Sequence, residues 1–147
     1  MIHEITRRIE FDAGHRIPNH DSKCKHLHGH RYALEATLSG ALIVERGASS
    51  EGMVLDFSVL KQAMVSTIAE PWDHKLLLYV RDPLAVWAAE ETLMQIDELG
   101  IVTLPSIPTV ENLARLAYER IQAEIPSLKL TRVRLYETPN CWADYPT

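Results

Sequence analysis

The sequence has 147 residues, of which 46% are hydrophobic and 24% are charged, a balance typical of a globular protein long enough for one domain with a proper core. Fifteen Lys and Arg against twenty Asp and Glu give a net charge of -5 without a basic block, which argues against a broad nucleic-acid interface. No apolar run approaches the ~20 residues that cross a bilayer, and no basic-then-apolar leader precedes the first strand pattern. We therefore expect a single domain over residues 1–147, in a cytoplasmic protein with no membrane partner.

Two segments near the start of the chain alternate in polarity, which predicts half-buried strands. Residues 4–15 place His15 at the end of their apolar face, on which Arg7 is the one exception. Residues 28–39 begin their apolar face with His28 and His30. The connection between them is rich in Pro, Asn, Asp, Ser and Lys, which indicates a loop.

The middle of the chain predicts helices with short connections. Residues 45–52 indicate a turn that leads into a hairpin-like strand at residues 53–55. Asp56 is the expected N-cap of a helix that ends before Pro71. Residues 72–78 indicate a short irregular segment.

The second half of the chain predicts two further helices and three strands. Residues 83–99 contain a further helical stretch that Gly100 stops, and residues 101–104 indicate a short strand. Thr109 is the expected cap of a second main helix, closed by Pro126. Two strands, at 129–137 and 141–145, complete the chain. Strands, helices and strands without βα alternation predict an α+β fold, with helices on one face of an antiparallel sheet.

Histidines are concentrated between residues 15 and 30, where five of the chain's seven occur: His15, His20, His26, His28 and His30. In a strand, residues two apart point to the same side, so His28 and His30 leave one face together. With His15 from the other strand they make three imidazole ligands and an open position, a catalytic zinc arrangement. Surface histidines without a metal are the alternative interpretation.

Four further positions carry polar chemistry. Cys24 lies on the loop beside the predicted metal, as a proton-abstracting base or nucleophile, or else as a metal ligand or an inert thiol. Asp73 could orient His74 as a general acid or base, although adjacent residues need an irregular backbone or a bridging group to act together. Glu137 ends an apolar strand face and could accept two parallel hydrogen bonds from an amide-amine edge, or could be a solvated strand end.

The second cysteine, Cys141, lies far from Cys24 in sequence. A disulfide between them is conceivable, but in a cytosolic protein we expect free thiols.

These motifs together resemble the 6-pyruvoyltetrahydropterin synthase family. The matching stretches are FDAGH ending at His15, CKHLHGH ending at His30, Asp73-His74, PTVEN around Glu111 and YETPN around Glu137. The resemblance implies a tunnelling fold (T-fold), in which a four-stranded antiparallel sheet carries two main helices on one face. It also implies assembly through sheet edges into trimers or stacked hexamers that form a barrel, with sites between subunits.

The same resemblance assigns roles to residues. It implies zinc on His15, His28 and His30, proton abstraction by Cys24, and a relay of Asp73 and His74. Glu137 would hold a pterin ring, with Thr109 and Glu111 near it. Within the family, the motifs resemble most the bacterial branch that acts in queuosine and 7-deazaguanine biosynthesis.

That branch implies a zinc-dependent lyase. Its substrate would be 7,8-dihydroneopterin triphosphate and its products 6-carboxy-5,6,7,8-tetrahydropterin, acetaldehyde and triphosphate. The animal-type reaction, which stops at the 6-pyruvoyl product, is the nearest alternative. A non-catalytic module that binds zinc and a purine-like ligand and a hydrolase with zinc-bound hydroxide are the others. The cations that meet the triphosphate stay open among Arg16, Lys23, Lys25, Arg31 and Lys75.

Overall fold

A computed structural model describes residues 1–147 and contains one mixed sheet of six strands. The strands are β1 (Ile2–His15), β2 (His28–Ala41), β3 (Lys75–Tyr79), β4 (Ile101–Leu104), β5 (Lys129–Thr138) and β6 (Cys141–Tyr145). Their order across the sheet is β4-β3-β1-β2-β5-β6. The expected four-stranded antiparallel sheet is present as β1, β2, β5 and β6, and the α+β class is confirmed.

Two parallel strands extend this sheet beyond the expected four. β3 pairs in parallel with Ala13–His15 of β1, and β4 pairs in parallel with β3. The expectation of an irregular segment at 72–78 was therefore wrong for its second half. Leu77 and Leu78 are both fully buried, so this strand has no polar alternation by which it could be recognised. From Ile2 to Asp12, the edge of β1 that faces away from β2, its outer edge, pairs with no other strand of the chain.

Four helices accompany the sheet, and all except the third pack on its core face. They are α1 (Phe57–Met64), α2 (Glu70–Trp72), α3 (Pro83–Glu91) and α4 (Val110–Glu124). Asp56 caps α1 by accepting a hydrogen bond from the backbone N–H of Ser58 at 2.7 Å, as the sequence predicted. Thr109 likewise caps α4 through the backbone N–H of Asn112 at 3.3 Å.

The first helix continues further than expected. A π-helical turn at Val65–Ala69 joins α1 to α2, so the helical path runs past Pro71 to Trp72. Pro71 follows directly after the π-helical turn, where the regular ladder of hydrogen bonds from residue i to residue i−4 is already interrupted, and it is therefore tolerated there. The strand expected at 53–55 is absent. Residues 54 and 55 form a bend instead. The segment is held to the residues just after β2 by two backbone hydrogen bonds of 2.8 Å, from the N–H of Ile43 to the carbonyl oxygen of Met53 and from the N–H of Gly52 to that of Ile43.

The core lies between the sheet and the helices α1, α2 and α4. Leu34, Tyr32 and Phe11 of the sheet meet Ile68 and Ile121 of the helical layer, and all five are at most 2% exposed. Each such buried side chain stabilises the fold by roughly 1.5–3 kcal/mol relative to an exposed one. His15 belongs to this buried face, at 1% exposed, so the core positions it. No helix is both long and apolar enough to cross a membrane.

Candidate metal and active site

Three histidines meet at one end of the β1–β2 pair. His15, the last residue of β1, is registered against His28, the first residue of β2, and His30 is registered against Ala13. All three side chains point to the helix-covered face, because residues two apart share a side and directly opposed residues share a face. One ring nitrogen from each lies within 4.8 Å of the other two.

Hydrogen bonds define the tautomers of two of these rings. Nδ1 of His15 lies 2.7 Å from the carbonyl oxygen of Pro108, and Nδ1 of His28 lies 2.7 Å from that of His26. A carbonyl oxygen can only accept, so each Nδ1 carries the hydrogen and each Nε2 presents a lone pair. These two Nε2 atoms face one another at 3.1 Å. Two lone pairs at that distance repel unless a cation lies between them.

The third ring fits the same conclusion. Nε2 of His30 is buried and has no hydrogen-bond partner, a state that costs free energy unless something satisfies the nitrogen. Three converging imidazole nitrogens suit a metal ion, and hydrogen bonds from the far ring nitrogens to carbonyls are how proteins orient such ligands. The residues present therefore fit a metal.

The electrostatics of the cluster favour neutral rings. Burial lowers the pKa of His15 and of His30, although the nearby carboxylate of Glu137 opposes the change. Neutral imidazole is the form that binds a metal. Below the cluster, Tyr32 contacts Nδ1 of His15 at 3.3 Å, and burial, with Glu137, raises the pKa of its phenol, which stays protonated.

Glu137 faces the cluster within the same chain. Its two carboxylate oxygens lie 3.7 Å from Nε2 of His30 and 3.8 Å from Nε2 of His15. Glu137 lies on β5 of the same chain. Its contact with the histidines therefore needs no second copy of the protein.

A cavity of about 390 Å³ opens beside the histidines and Glu137. It is lined by Lys23, Cys24, His26, His28, His30 and Glu137. Cys24 stands in the short 3-10 helix Lys23–Lys25, and its carbonyl oxygen accepts a 2.8 Å hydrogen bond from the backbone N–H of Ile17. The loop thereby places the free thiol of Cys24 at the same cavity as His28 and His30.

Asp73 and His74 form a hydrogen-bonded pair. Nδ1 of His74 lies 2.8 Å from Oδ2 of Asp73, whose Oδ1 accepts a 2.9 Å bond from the backbone N–H of Asp12. His74 has a φ of 57°, in the left-handed region, and this irregular backbone lets adjacent side chains meet. The Asp12 N–H and His74 lower the pKa of Asp73, which keeps it ionised to orient the imidazole.

This pair lies on the other face of the sheet from the thiol. His74 of the pair lines a second cavity of about 570 Å³ together with Asp12, Gly14, Gly29 and Arg31, which alternate along β1 and β2 with the residues of the histidine face. The two cavities have only His30 in common. One chain therefore does not place Asp73 and His74 beside Cys24.

The two remaining expected site residues, Thr109 and Glu111, lie away from both cavities. Thr109 is the cap of α4, and Glu111 is exposed in its first turn. Neither lines either of these two cavities. The PTVEN stretch reaches the site instead through its first residue, Pro108, whose carbonyl oxygen accepts the hydrogen bond from Nδ1 of His15.

Sequence reasoning missed several contributors to the site. Tyr32 shares the parity of His28 and His30, a signal that could have identified it, but nothing in the sequence indicates the carbonyl of Pro108. Of the five cations left open for the triphosphate, Arg16 is paired with Asp82 and Arg31 with Asp12. Lys23 lines the thiol cavity.

Three converging histidines with a thiol and a carboxylate beside them, on an α+β fold, are typical of the active site of a metal-dependent enzyme. The family model described as 6-pyruvoyl tetrahydropterin synthase matches residues 4–147. The 6-carboxy-5,6,7,8-tetrahydropterin synthase of Rickettsia bellii is 39% identical over 144 residues, which cover 96% of this chain and 98% of that protein. The chain belongs to the 6-pyruvoyl tetrahydropterin synthase family. It is a pterin synthase of the lyase class.

Solved structures show the same fold. An uncharacterized protein from Wolinella succinogenes matches with a TM-score of 0.77 at 24% identity, over 98% of this chain and 97% of its own. The 6-pyruvoyl tetrahydropterin synthase of Caenorhabditis elegans matches with a TM-score of 0.67 at 24% identity, over 99% and 95%. The expected T-fold is therefore confirmed, and the oligomer stays a prediction.

Proposed function

We propose that this protein converts 7,8-dihydroneopterin triphosphate and one water to 6-carboxy-5,6,7,8-tetrahydropterin, acetaldehyde and triphosphate, as a zinc-dependent step of queuosine and 7-deazaguanine biosynthesis. The observation that supports this most is the convergence of three imidazole nitrogens beside one cavity that also contains Cys24 and Glu137. The relative from Rickettsia bellii is a 6-carboxy-5,6,7,8-tetrahydropterin synthase, which favours the carboxy product over other reactions of the family. We take residues 1–147 as one catalytic domain.

His15, His28 and His30 would hold the zinc. When bound, zinc would supply Lewis-acid polarisation of the substrate's side-chain hydroxyls and acidify the adjacent carbon-bound protons. The nitrogen donor set suits this metal, and the hydrogen bonds to Pro108 and His26 keep two of the rings in the coordinating tautomer.

Glu137 would anchor the pterin ring and Cys24 would move the proton. A carboxylate can accept two parallel hydrogen bonds from the amide and amine of a pterin, and Glu137 borders the same cavity as the thiol. With the ring held at Glu137 and the hydroxyls at the histidines, the sulfur of Cys24 would meet the side chain between the ring and the triphosphate. There it would abstract the activated proton as a general base. Thr109 and Glu111 would act on the pterin only indirectly, through the end of α4.

Asp73 and His74 would serve the site of a neighbouring copy. Their position on the opposite sheet face from Cys24 supports this, since they could not exchange a proton with the thiol of their own chain. The open outer edge of β1 supports joining of sheets between copies, because unpaired strand edges are protected by association. A trimer or stacked hexamer would bring the two half-sites together.

Product analysis tests the reaction. Zinc-loaded protein incubated with 7,8-dihydroneopterin triphosphate should release acetaldehyde and triphosphate in equal amounts, with 6-carboxytetrahydropterin as the pterin product. Accumulation of 6-pyruvoyltetrahydropterin without acetaldehyde would reject the proposed product and favour the animal-type reaction. A zinc-containing chain that binds the substrate and releases neither triphosphate nor acetaldehyde would favour a non-catalytic module.

A further inference from the structure

A buried ion pair lies directly beyond the first histidine of the cluster. Arg16 follows His15 in sequence, and its guanidinium binds the carboxylate of Asp82 as a fork, with Nε to Oδ2 at 2.8 Å and NH2 to Oδ1 at 2.6 Å. The side chain of Asp82 is 0% exposed and that of Arg16 is 23% exposed. Paired, planar and largely shielded from water, this contact belongs to the strong class of charge-assisted hydrogen bonds.

Asp82 is fixed by the backbone on either side of it. Its N–H donates to the carbonyl oxygen of Tyr79 at 2.8 Å, which closes the turn after β3. Its Oδ1 accepts from the N–H of Leu84 at 2.9 Å, which caps α3. Burial by itself would raise the pKa of Asp82, but hydrogen bonds from Arg16 and Leu84 prevail and lower it. A buried carboxylate that stays charged depends on its partner, because a lone charge in this position is costly.

The ion pair links the end of β1 to the residues after β3, next to the last hydrogen-bonded pair of these two strands. His15 and Leu77 form the last rung between β1 and β3, and the link from Arg16 to Asp82 comes one residue later. His15 is thus held from three sides: by its rung with His28, by the carbonyl of Pro108, and by this link to the end of β3. Removing the link would free the end of β1 on the side away from β2.

We propose that Arg16 and Asp82 are positioning residues that fix the imidazole of His15 for the metal, and that Asp82 thereby raises metal affinity from the turn before α3, without lining the metal cavity. This rests on the metal site proposed above. The sequence predicts only a helical stretch and a short strand in residues 82–104, whereas in the structure the first of these residues, Asp82, binds Arg16, the residue next to a histidine of the cluster. Loosening the link should widen the distribution of His15 ring positions and weaken the metal site.

Zinc affinity of the full chain is the measurement that tests the role of the pair. Metal-free protein is titrated with zinc against a chromogenic chelator, for the wild type, Asp82→Asn and Arg16→Lys. Asparagine keeps an oxygen that can cap α3 but loses the charged fork, and lysine keeps the positive charge but cannot bind both oxygens. We expect the zinc Kd to rise about tenfold in each variant, the lower end of what support of a metal ligand contributes.

The visible absorption spectrum of cobalt-substituted protein provides a second readout. The ligand-field bands of Co²⁺ report the positions of the three nitrogens, and we expect them to shift in both variants. A core truncation in α4, Ile121→Val or Ile121→Ala, serves as the control for lost stability, because Ile121 is fully buried and far along the helix from Pro108. Of the two Ile121 variants, the one whose Tm falls by the same amount as that of the Arg16 and Asp82 variants is used. It should leave the zinc Kd and the cobalt spectrum unchanged.

Three results would overturn the proposal. Unchanged zinc Kd and cobalt bands in the pair variants, with a lower Tm, would make the pair a purely structural contact. An equal rise in Kd in the Ile121 control would assign the effect to general loosening. A wild-type chain that takes up no zinc would remove the metal site as well. Because no substrate is present, the outcome does not depend on which pterin reaction follows, and if Asp82→Asn fails to fold, Arg16→Lys alone decides.

Discussion

Replacing Glu137 by Gln separates its two conceivable roles, an anchor for the pterin and a further metal ligand. The carboxylate lies 3.7 Å and 3.8 Å from the Nε2 atoms of His30 and His15, and the side chain is 25% exposed. Glutamine has the same shape, so the fold should be retained with a change in Tm of no more than about 2 °C. What changes is the charge, and with it one of the two acceptor oxygens.

The magnitude follows from the hydrogen bonds that a pterin would make. Two N–H donors of the ring face two carboxylate oxygens, and a hydrogen bond to a charged group contributes about 1.5–3 kcal/mol. In the Gln variant one donor would face an NH2 group instead, and the other bond would lose its charge. The expected loss is about 2–4 kcal/mol, or roughly 30- to 1000-fold in kcat/KM at 1.4 kcal/mol for each factor of ten.

Steady-state kinetics and metal analysis on the same preparation decide between the roles. We expect Glu137→Gln to lose kcat/KM while it retains the zinc content and zinc Kd of the wild type. Loss of zinc in parallel with activity would refute the anchoring role and identify Glu137 as a ligand. A kcat/KM within a factor of three of the wild type would show that the ring is held elsewhere.

Four further outcomes are expected. Cys24→Ala should lower kcat by about 100- to 10,000-fold, the range for a lost general base, with zinc content unchanged by elemental analysis; parallel loss of zinc would make the thiol a ligand. Inactive Cys24→Ala and His74→Ala chains, refolded as a mixture, should recover activity at about a quarter of the sites if the two residues act across copies, and no recovery would contradict a shared site. Lys23→Ala should raise KM for the triphosphate substrate about tenfold through one lost charged contact, whereas Lys25→Ala, outside the cavity lining, should not; equal effects would assign the loss to general charge. The Tm of metal-free protein should fall from pH 7.5 to pH 5.5. Burial lowers the pKa of His15 and His30 in the folded state. Their contribution to the free energy of unfolding is therefore complete above their unfolded-state pKa of about 6.5, and it is lost as the pH falls, because the unfolded chain then binds more protons than the folded one. A flat Tm across this window would contradict neutral, buried rings.

Local pattern predicted those parts of the fold that are decided within one segment. Alternation identified β1, β2 and β5, because one face of each packs on helices and the other does not. Side-chain caps identified the starts of α1 and α4 at Asp56 and Thr109. The pattern failed at β3, where Leu77 and Leu78 are both buried. It also failed at Pro71, because a π-helical turn just before the proline joins α1 to α2 and the chain stays helical. In these places the neighbouring elements, and not the segment itself, determine the conformation.

The candidate site divides in the same way. The sequence by itself determined that His15, His28 and His30 lie on apolar strand faces, since parity along a strand decides which side a residue takes. Only the tertiary structure decided that His15 stands opposite His28, that the carbonyl of Pro108 orients its ring, and that Asp82 holds the adjacent Arg16. It also placed Asp73 and His74 on the opposite face from Cys24. Strand parity is a property of the local backbone, whereas register and packing depend on the free energy of the whole chain, so residues far apart in sequence meet only once that chain has folded.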